Sequence, residues 1–152
     1  FEAARPPVST RITGVSGERL DTHWSDGMTS YASTTVHGFP NMFVLDGPNA
    51  ALGHNSAIYM IETQLGYVLG ALDVLADDGI RSVEVTADAE ASYTAEIDER
   101  ASSTVWLTGC NSWYVDPDSG RLTLLWPGTA VSFRERNGTF DVEPYIVETR
   151  EG

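Results

Sequence analysis

The sequence predicts a mixed fold of the α/β to α+β class, because patterns typical of strands and of helices alternate along the chain. Residues 42–45 are four consecutive apolar residues, which is typical of a strand buried on both faces. A long helix is then expected from Asn55 or Ser56, either of which is a good N-cap, to about Ala76. Apolar residues lie on most of its surface, so we expect this helix to be central and covered on most sides.

Further helices and strands are expected on either side of this unit. Alternating apolar and polar residues over Ile80–Val85 predict a second strand. Thr86 is expected to cap an amphipathic helix that runs to about Ser102. Earlier in the chain, a turn at Gly14 to Gly17 is predicted to join two short strands in a hairpin.

The last third of the chain is expected to contain short elements. Short strands are predicted at Val105–Leu107, at residues 113–115 and at residues 122–126, the last two separated by a turn at residues 116–120. Pro127 is expected to open a short helix that ends near Asn137. The whole sequence, with 152 residues, has the size of one ordinary domain.

Charge and cysteine content narrow the classes of partner. The chain carries 22 acidic and 9 basic residues, a formal net charge of −13, which would repel nucleic acids and anionic membranes. Cys110 is the one cysteine, so no internal disulfide can form and a cytoplasmic location is expected. Glu62, Gln64 and Asp73 interrupt the long apolar helix, which favours a core helix over a membrane span. We therefore expect neither nucleic acid nor membrane as a partner.

The corner between the first predicted strand and the long helix is the best candidate for a binding site. The N–H groups at the start of a helix have no partner within the helix and carry about half a positive charge, so the corner favours an electron-rich ligand. Gly47 and Gly53 would let a ligand approach the backbone, and Pro48 fixes the turn. Their spacing matches no phosphate-binding loop. An ordinary connection without a ligand remains the alternative at this point.

The spacing of the histidines and of two helix glycines carries further expectations. No metal site is expected, because no two of the three histidines have the spacing of metal ligands; they are His23, His37 and His54. Gly66 and Gly70 lie four residues apart in the long helix, and we expect them to let it approach a sheet closely.

A long ordered set of motifs resembles one known family. The set comprises Asp26-Gly27, Tyr31, Thr34 to Phe43, Gly47-Pro48-Asn49, Leu52 to Ser56, Met60-Ile61-Glu62, Tyr67, Arg81 to Val85, Gly109 to Tyr114 and Thr123 to Gly128. In this order the motifs resemble the C-terminal part of flavin-containing monooxygenases of the Baeyer-Villiger type, over nearly the whole chain. One departure is Ala32-Ser33, where the family usually has a Leu-Gly pair.

The resemblance implies a fold and a set of binding residues. Residues 1–80 would be the C-terminal part of a Rossmann-type FAD-binding domain, with a hairpin, a strand and a long buried helix, and residues 81–152 a small α+β cap, unless residues 1–152 form one compact unit. The corner would approach the isoalloxazine ring of FAD, and the helix start would face the electron-rich edge of that ring. The residues implied to contact FAD are Gly47, Pro48, Asn49, Gly53, His54 and Asn55. Trp113 stands where related enzymes carry a mobile-loop tryptophan that contacts NADP.

The family reaction uses NADPH, FAD and dioxygen to form a flavin peroxide that oxygenates a ketone or a heteroatom. Neither GxGxxG fingerprint occurs in this sequence, and no catalytic residue is identified in it. The chain is therefore expected to lack the N-terminal FAD and NADP domains, to be inactive alone, and to allow a homodimer through the interface that those domains would cover. The alternative functions are a noncatalytic small-molecule-binding module and an oligomerisation module.

Overall fold

The computed structural model describes residues 4–53, 56–108, 112 and 114–150. The helices and strands in this part of the chain are, in order, a 3₁₀ helix at Pro7–Arg11, α1 at Leu20–His23, α2 at Ala57–Leu75, β1 at Ile80–Val85, α3 at Ala87–Ser102, α4 at Val105–Thr108, α5 at Ala130–Asn137 and β2 at Tyr145–Thr149. This combination of helices with a small sheet confirms the mixed fold class that the sequence predicts.

The long helix α2 lies where the sequence places it. It spans 19 residues, with Ser56 as an extended N-cap and Ala76 as the C-cap. One face is buried and carries residues at spacings of three and four, which are Met60, Thr63, Gln64, Tyr67 and Ala71. Met60 packs in a core cluster with residues of the corner, of α3 and of α5. The helix is therefore held to the rest of the chain by one side.

The opposite face of α2 is exposed, which corrects the prediction that this helix is covered on most sides. Ile58, Leu65, Leu69 and Leu72 are 67, 42, 61 and 47% exposed, respectively. Their spacing places them in one row along the helix, and we call this surface the α2 stripe. The apolar pattern correctly indicates a helix, but the described residues supply no element that covers its second face.

The sheet contains β1, which the sequence predicts, and β2, which was missed. The strands pair antiparallel, with Val83 opposite Val147 and Val85 opposite Tyr145. Val83, Val85 and Tyr145 pack against Tyr67 of α2 in one buried cluster. The available signal for β2 was composition rather than periodicity, because Tyr-Ile-Val-Glu-Thr is rich in aromatic and β-branched residues that favour strands.

Helix α3 confirms the predicted cap and length. The Thr86 side chain accepts a hydrogen bond from the Ala89 N–H at 3.2 Å, which satisfies one of the free donors at the helix start. The buried face of α3 carries Glu90, Tyr93, Ile97 and Ala101 at helical spacing. Three of these residues are apolar or aromatic, whereas Glu90 is a buried carboxylate that requires polar partners.

Residues 42–45 do not form a strand, which corrects the prediction of a strand buried on both faces. Asn41 and Asp46, on either side, have φ angles of 56° and 53°, in the left-handed region that interrupts extended structure. The Val44 N–H donates to the Thr34 carbonyl at 2.8 Å. The Val44 carbonyl accepts from Gln64 Nε2 at 3.2 Å. A loop and a side chain therefore satisfy backbone groups that a sheet would otherwise pair.

The predicted N-terminal hairpin is reduced to a turn with one bridge. Thr13 and Arg19 form an isolated antiparallel bridge. The Gly14 N–H donates to the Glu18 carbonyl at 2.8 Å, which closes the turn at the predicted place. Helical turns flank it on both sides, at Pro7–Arg11 and at Leu20–His23, and Leu20 of the second turn packs in a buried cluster with Trp24.

The strand predicted at Val105–Leu107 is a helical turn. The Thr104 carbonyl accepts hydrogen bonds from the N–H groups of Leu107 and Thr108, both at 3.2 Å, so the chain coils again directly after α3. The strand prediction was wrong because three apolar residues in a row do not distinguish a strand from a short helix.

The turn at residues 116–120 and the helix after Pro127 are confirmed with small differences. The Gly120 N–H donates to the Asp116 carbonyl at 2.9 Å, and Val115 pairs with Leu122 across the turn. The strands predicted on either side of the turn shrink to that bridge and to a parallel one between residues 51 and 125. Helix α5 begins at Ala130 rather than at Pro127, because Thr129 is its N-cap.

The departure from the family at Ala32-Ser33 has a backbone explanation. Ser33 has a φ of 54°, a conformation that glycine adopts at low cost, so a glycine there in related proteins is expected. The Ser33 hydroxyl lies 3.0 Å from the Tyr93 hydroxyl and donates to the Asn49 carbonyl at 3.3 Å. Burial raises the pKa of Tyr93 to about 12, so this hydroxyl remains a neutral hydrogen-bonding group.

The glycines of α2 face a loop rather than the sheet, which corrects the predicted role of their spacing. A Cβ atom at Gly70 would lie 2.8 Å from Cβ of Phe140, in the segment between α5 and β2. A Cβ atom at Gly66 would lie 3.4 Å from the Gly138 carbonyl oxygen, a much less severe contact. Of the two, Gly70 is therefore the glycine that close packing requires.

Replacing Gly70 with alanine is expected to lower the free energy of unfolding by about 1 kcal/mol, because a packing clash of about 1–3 kcal/mol outweighs a helix-propensity gain of about 1 kcal/mol. Gly66→Ala is the matched control and should be neutral or stabilising by up to about 1 kcal/mol. Urea unfolding followed by circular dichroism measures both. Equal stabilisation by the two substitutions would contradict the close contact at Phe140.

Candidate functional site

The corner before α2 is held in place by the side chain of Gln64, which is fully buried. Its Oε1 accepts from the Asp46 N–H at 2.9 Å, and its Nε2 donates to the carbonyls of Ser33 and Val44 at 2.6 and 3.2 Å. One amide thus satisfies three backbone groups of two loops. Because Gln64 lies on the inward face of α2, it fixes the corner relative to the helix that follows.

Asn49 forms the middle of the corner and is buried with a φ of 55°. Its Nδ2 donates to the carbonyls of Leu122 and Leu125 at 2.5 and 3.1 Å. Its own N–H donates to the Thr123 carbonyl at 2.9 Å. The side-chain amide is therefore committed to residues 122–125 of the same chain, which gives Asn49 a structural role whether or not a ligand is present.

Gly47 and Pro48 are packed within the chain rather than presented at its surface. Pro48 is buried and Gly47 is half-buried. A Cβ atom at Gly47 would lie 2.7 Å from Cγ1 of Val44, so glycine at this position has a packing reason. Both residues therefore have packing roles within the chain, and their predicted contacts with a cofactor stay predictions.

Gly53 is the exposed residue of the corner among the predicted binding residues that the structure describes. A Cβ atom there would lie 3.4 Å from the Trp106 ring and 4.0 Å from the Tyr114 hydroxyl, which are ordinary contacts. Trp106 and Tyr114 pack edge to face with ring centroids 5.2 Å apart. The accessible end of the corner is thus a glycine bordered by two aromatic rings.

Trp106 was not among the predicted site residues. The sequence pattern assigned it to a strand, whereas α4 places it beside Gly53. A tryptophan directly after the end of an amphipathic helix was the available signal. The remaining predicted contacts, His54, Asn55 and Trp113, lie outside the described residues, and their roles stay predictions.

A second cluster of polar groups surrounds the buried carboxylate of Glu90. His23 Nε2 lies 3.1 Å from Glu90 Oε1, the same oxygen that accepts from Thr29 Oγ1 at 2.5 Å. The other oxygen accepts from the His37 N–H at 2.5 Å. We call these four residues the Glu90 cluster. It joins residues 23–37 to α3, far along the chain.

The hydrogen bonds of the Glu90 cluster favour a protonated His23 beside an ionised Glu90. Burial raises the pKa of Glu90, but the hydrogen bonds from His23, the His37 backbone and Thr29 outweigh burial, and the net pKa is lowered. The hydrogen bond to Glu90 raises the pKa of His23 against the opposing effect of burial, with a further contribution from Glu18. In the described ranges, no three acidic, histidine or cysteine residues are grouped so that they could hold a metal ion.

The chain is similar in sequence to known monooxygenases. The chain is 41% identical over 150 residues to a Baeyer-Villiger monooxygenase of Pseudomonas aeruginosa, covering 98% of this chain and 28% of the relative. The chain is similar to a part of Baeyer-Villiger monooxygenases. This confirms the resemblance seen in the sequence motifs. No family model matches the chain.

Other monooxygenases are also similar to the chain, one in sequence and one in structure. An FAD-binding monooxygenase of Aspergillus terreus is 36% identical over 132 residues, covering 85% of this chain and 23% of the relative. The solved structure of an oxidised steroid monooxygenase bound to NADP superposes with a TM-score of 0.74 at 27% identity, covering 90% of this chain and 26% of that one. The chain thus spans about a quarter of the length of the monooxygenases that it matches.

Proposed function

We propose that this chain is the C-terminal part of an FAD- and NADPH-dependent monooxygenase of the Baeyer-Villiger type, and that it is inactive alone. The similarity over 98% of the chain to such an enzyme is the observation that carries the proposal. A ketone or a compound with an oxidisable heteroatom, together with dioxygen, would be the substrates of the complete enzyme. A cytoplasmic location, inferred from the single cysteine, belongs to the same proposal.

The proposal includes a finer division of the chain. Residues 1–80 would complete a Rossmann-type FAD-binding domain, and residues 81–152 would form a cap beside it. The corner is fixed from behind by Gln64 and Asn49, so its backbone is preorganised before any ligand arrives. Such rigid support suits a site that must hold a flat ring at a defined distance.

The exposed end of the corner fits the edge of a flavin ring. Gly53 has no side chain, its neighbours Trp106 and Tyr114 are aromatic, and α2 begins four residues later. The start of α2 favours negative charge, and aromatic rings favour a flat partner. When bound, FAD reduced by NADPH would supply the activation of dioxygen. This chain would contribute the backbone contact at Gly53, and His54, Asn55 and Trp113 are proposed to contribute further contacts.

Flavin content tests the proposal. The chain purified alone should be colourless, whereas co-expression with the part of the Pseudomonas aeruginosa relative that it does not match should give a yellow complex that oxidises NADPH in the presence of a ketone. Gly53→Ala should reduce bound flavin by about tenfold, because an added methyl group would occupy the approach of the ring.

The control for Gly53→Ala is Gly66→Ala, which adds the same methyl group to a helix position with comparable space. The two variants should have the same thermal midpoint as the wild-type chain within a few degrees, since the alanine at position 53 would make ordinary contacts. Full flavin loading in Gly53→Ala, or a yellow chain in isolation, would contradict the proposed contact and the proposed incompleteness, respectively.

A further inference from the structure

The α2 stripe is an apolar surface that the described chain leaves uncovered. Its members Leu65, Leu69 and Leu72 lie on the side of α2 opposite to the buried residues Met60 and Tyr67. A helix that is apolar on two opposite sides is typical of a helix covered on both sides in the complete protein. Something outside the described residues is therefore expected to pack on the stripe.

We propose that the α2 stripe is the docking surface for the part of the monooxygenase that this chain does not match. The inference rests on the proposed function. The chain corresponds to 28% of the Pseudomonas aeruginosa relative, so most of that polypeptide is available to cover the helix. The surface is also next to the proposed cofactor corner in the sequence, because Ile58 at one end of the stripe lies in the first turn of α2.

Charge specifies the complementary surface. Glu62 and Asp73 are exposed on α2 beside the stripe, and the chain carries a net charge of −13. The docking partner is therefore a polypeptide face with an apolar centre and a basic rim. A second copy of this chain is the poorer occupant, because it would bring the same acidic rim and the same net charge to the interface.

A lipid bilayer is also a poorer occupant. By length and composition α2 is apolar enough to span a membrane, and 28% of its apolar stretch is buried within this chain. However, Met60 and Tyr67 are 0 and 2% exposed within the core of this chain, and lipid around the helix would require them to leave it. The acidic rim would also meet an unfavourable potential at an anionic membrane surface.

Co-purification tests the docking surface. The tagged chain is co-expressed with the part of the Pseudomonas aeruginosa relative that it does not match, and the partner retained on the resin is quantified. The wild-type chain should retain about one molecule of the partner per molecule of chain. Leu65→Glu and Leu69→Glu should each weaken retention by about tenfold or more, because each removes an apolar contact and places a charge in the centre of the interface.

The matched control is Val15→Glu, which introduces the same charge at an apolar residue that is 71% exposed in the N-terminal turn, away from α2. It should retain the partner as well as the wild-type chain does. Circular dichroism and thermal midpoints verify that all three variants fold, as expected for exposed positions. Equal loss in Val15→Glu, or no retention by the wild-type chain, would overturn the proposal.

Sedimentation and vesicle binding address the other occupants, and flavin absorbance separates this inference from the proposed function. Sedimentation of the co-expressed proteins showing a dimer of the chain that excludes the partner and that Leu69→Glu dissociates, or binding to vesicles of neutral lipid that Leu69→Glu abolishes, would overturn the proposed partner. The visible absorbance of flavin is read from the same complex. A stable complex without flavin supports the docking surface and contradicts the proposed function, whereas a flavin-loaded complex that the stripe variants leave intact contradicts only the docking surface.

Discussion

Replacing Glu90 with alanine is expected to lower the free energy of unfolding by about 3 kcal/mol, which corresponds to a fall of about 6 to 12 °C in the thermal midpoint. The substitution leaves His23 Nε2, Thr29 Oγ1 and the His37 N–H without their shared acceptor. The cost of removing one partner from a buried polar group is the desolvation of the groups that remain. Denaturant unfolding followed by fluorescence measures the loss.

The matched control for Glu90→Ala is Glu99→Ala, which removes an exposed carboxylate from the same helix. This change should alter the unfolding free energy by less than about 0.5 kcal/mol. Glu90→Gln should have an intermediate effect, because the amide keeps one acceptor oxygen but presents an N–H group to some of the same donors. Equal stability of the two alanine variants would show that the Glu90 cluster has no structural role.

The stabilisation from the Glu90 cluster should depend on pH in two directions. The pKa of His23 is raised above its ordinary value of 6.5, so its contribution is present below that pH and is lost as the pH rises through the folded-state pKa. The pKa of Glu90 is lowered below 4.5, so its contribution is present above that pH and is lost as the pH falls through the folded-state pKa. The stability difference between the wild-type chain and Glu90→Ala should therefore be largest at about pH 5 to 6.

Replacing Asn49 with alanine is expected to lower the free energy of unfolding by about 3 kcal/mol in the absence of any cofactor. Two buried carbonyls, those of Leu122 and Leu125, would lose their donor, at about 1 kcal/mol each. Alanine would also be strained by about 1 kcal/mol at the φ of 55°. Urea unfolding of the chain alone measures the effect.

Asn49→Gly separates the two causes, since glycine adopts a positive φ freely but donates no side-chain hydrogen bond. It should cost about 1 kcal/mol less than Asn49→Ala. Asn41→Ala is a comparison at a similar φ of 56°: its side chain also forms two hydrogen bonds, to the backbone of Arg81 and Val83, but Asn41 is exposed, so the loss should be smaller. Unchanged stability in Asn49→Ala would indicate that this asparagine acts only through a ligand.

Local signals predicted the elements that are stabilised locally. The N-cap hydrogen bond of Thr86 and the helical spacing of α2 and α3 are properties of neighbouring residues, and the structure confirms all three. The strand prediction for residues 42–45 was wrong because Gln64, about 20 residues away, donates to the Val44 carbonyl that a sheet would have paired. β2 was missed although its partner β1 was predicted, since pairing between distant segments leaves no periodic signal of its own.

Some features of the candidate site were also predicted from the sequence, and others were not. The sequence predicted the corner, its glycines and the helix start, but not that Pro48 and Asn49 would be buried, that Asn49 would bond to residues 122–125, or that Gly53 would be exposed. The sequence marked Trp106 only as a tryptophan directly after an amphipathic helix; its contact with Gly53 depends on how α4 follows α3, which no local pattern gives. For the second apolar face of α2, the sequence predicted burial, whereas that face is exposed in the described part of the chain.

The hydrogen bonds of Asn49 also bear on how the protein is made. Its two acceptors lie 73 and 76 positions further along the chain, so a growing polypeptide on the ribosome has synthesised all of α2 long before the loop at Asn49 can close. During that interval both faces of α2 are open to solvent. We expect the nascent chain to bind chaperones at this helix until Leu125 emerges, and translation speed over residues 76–125 to influence the yield of folded protein.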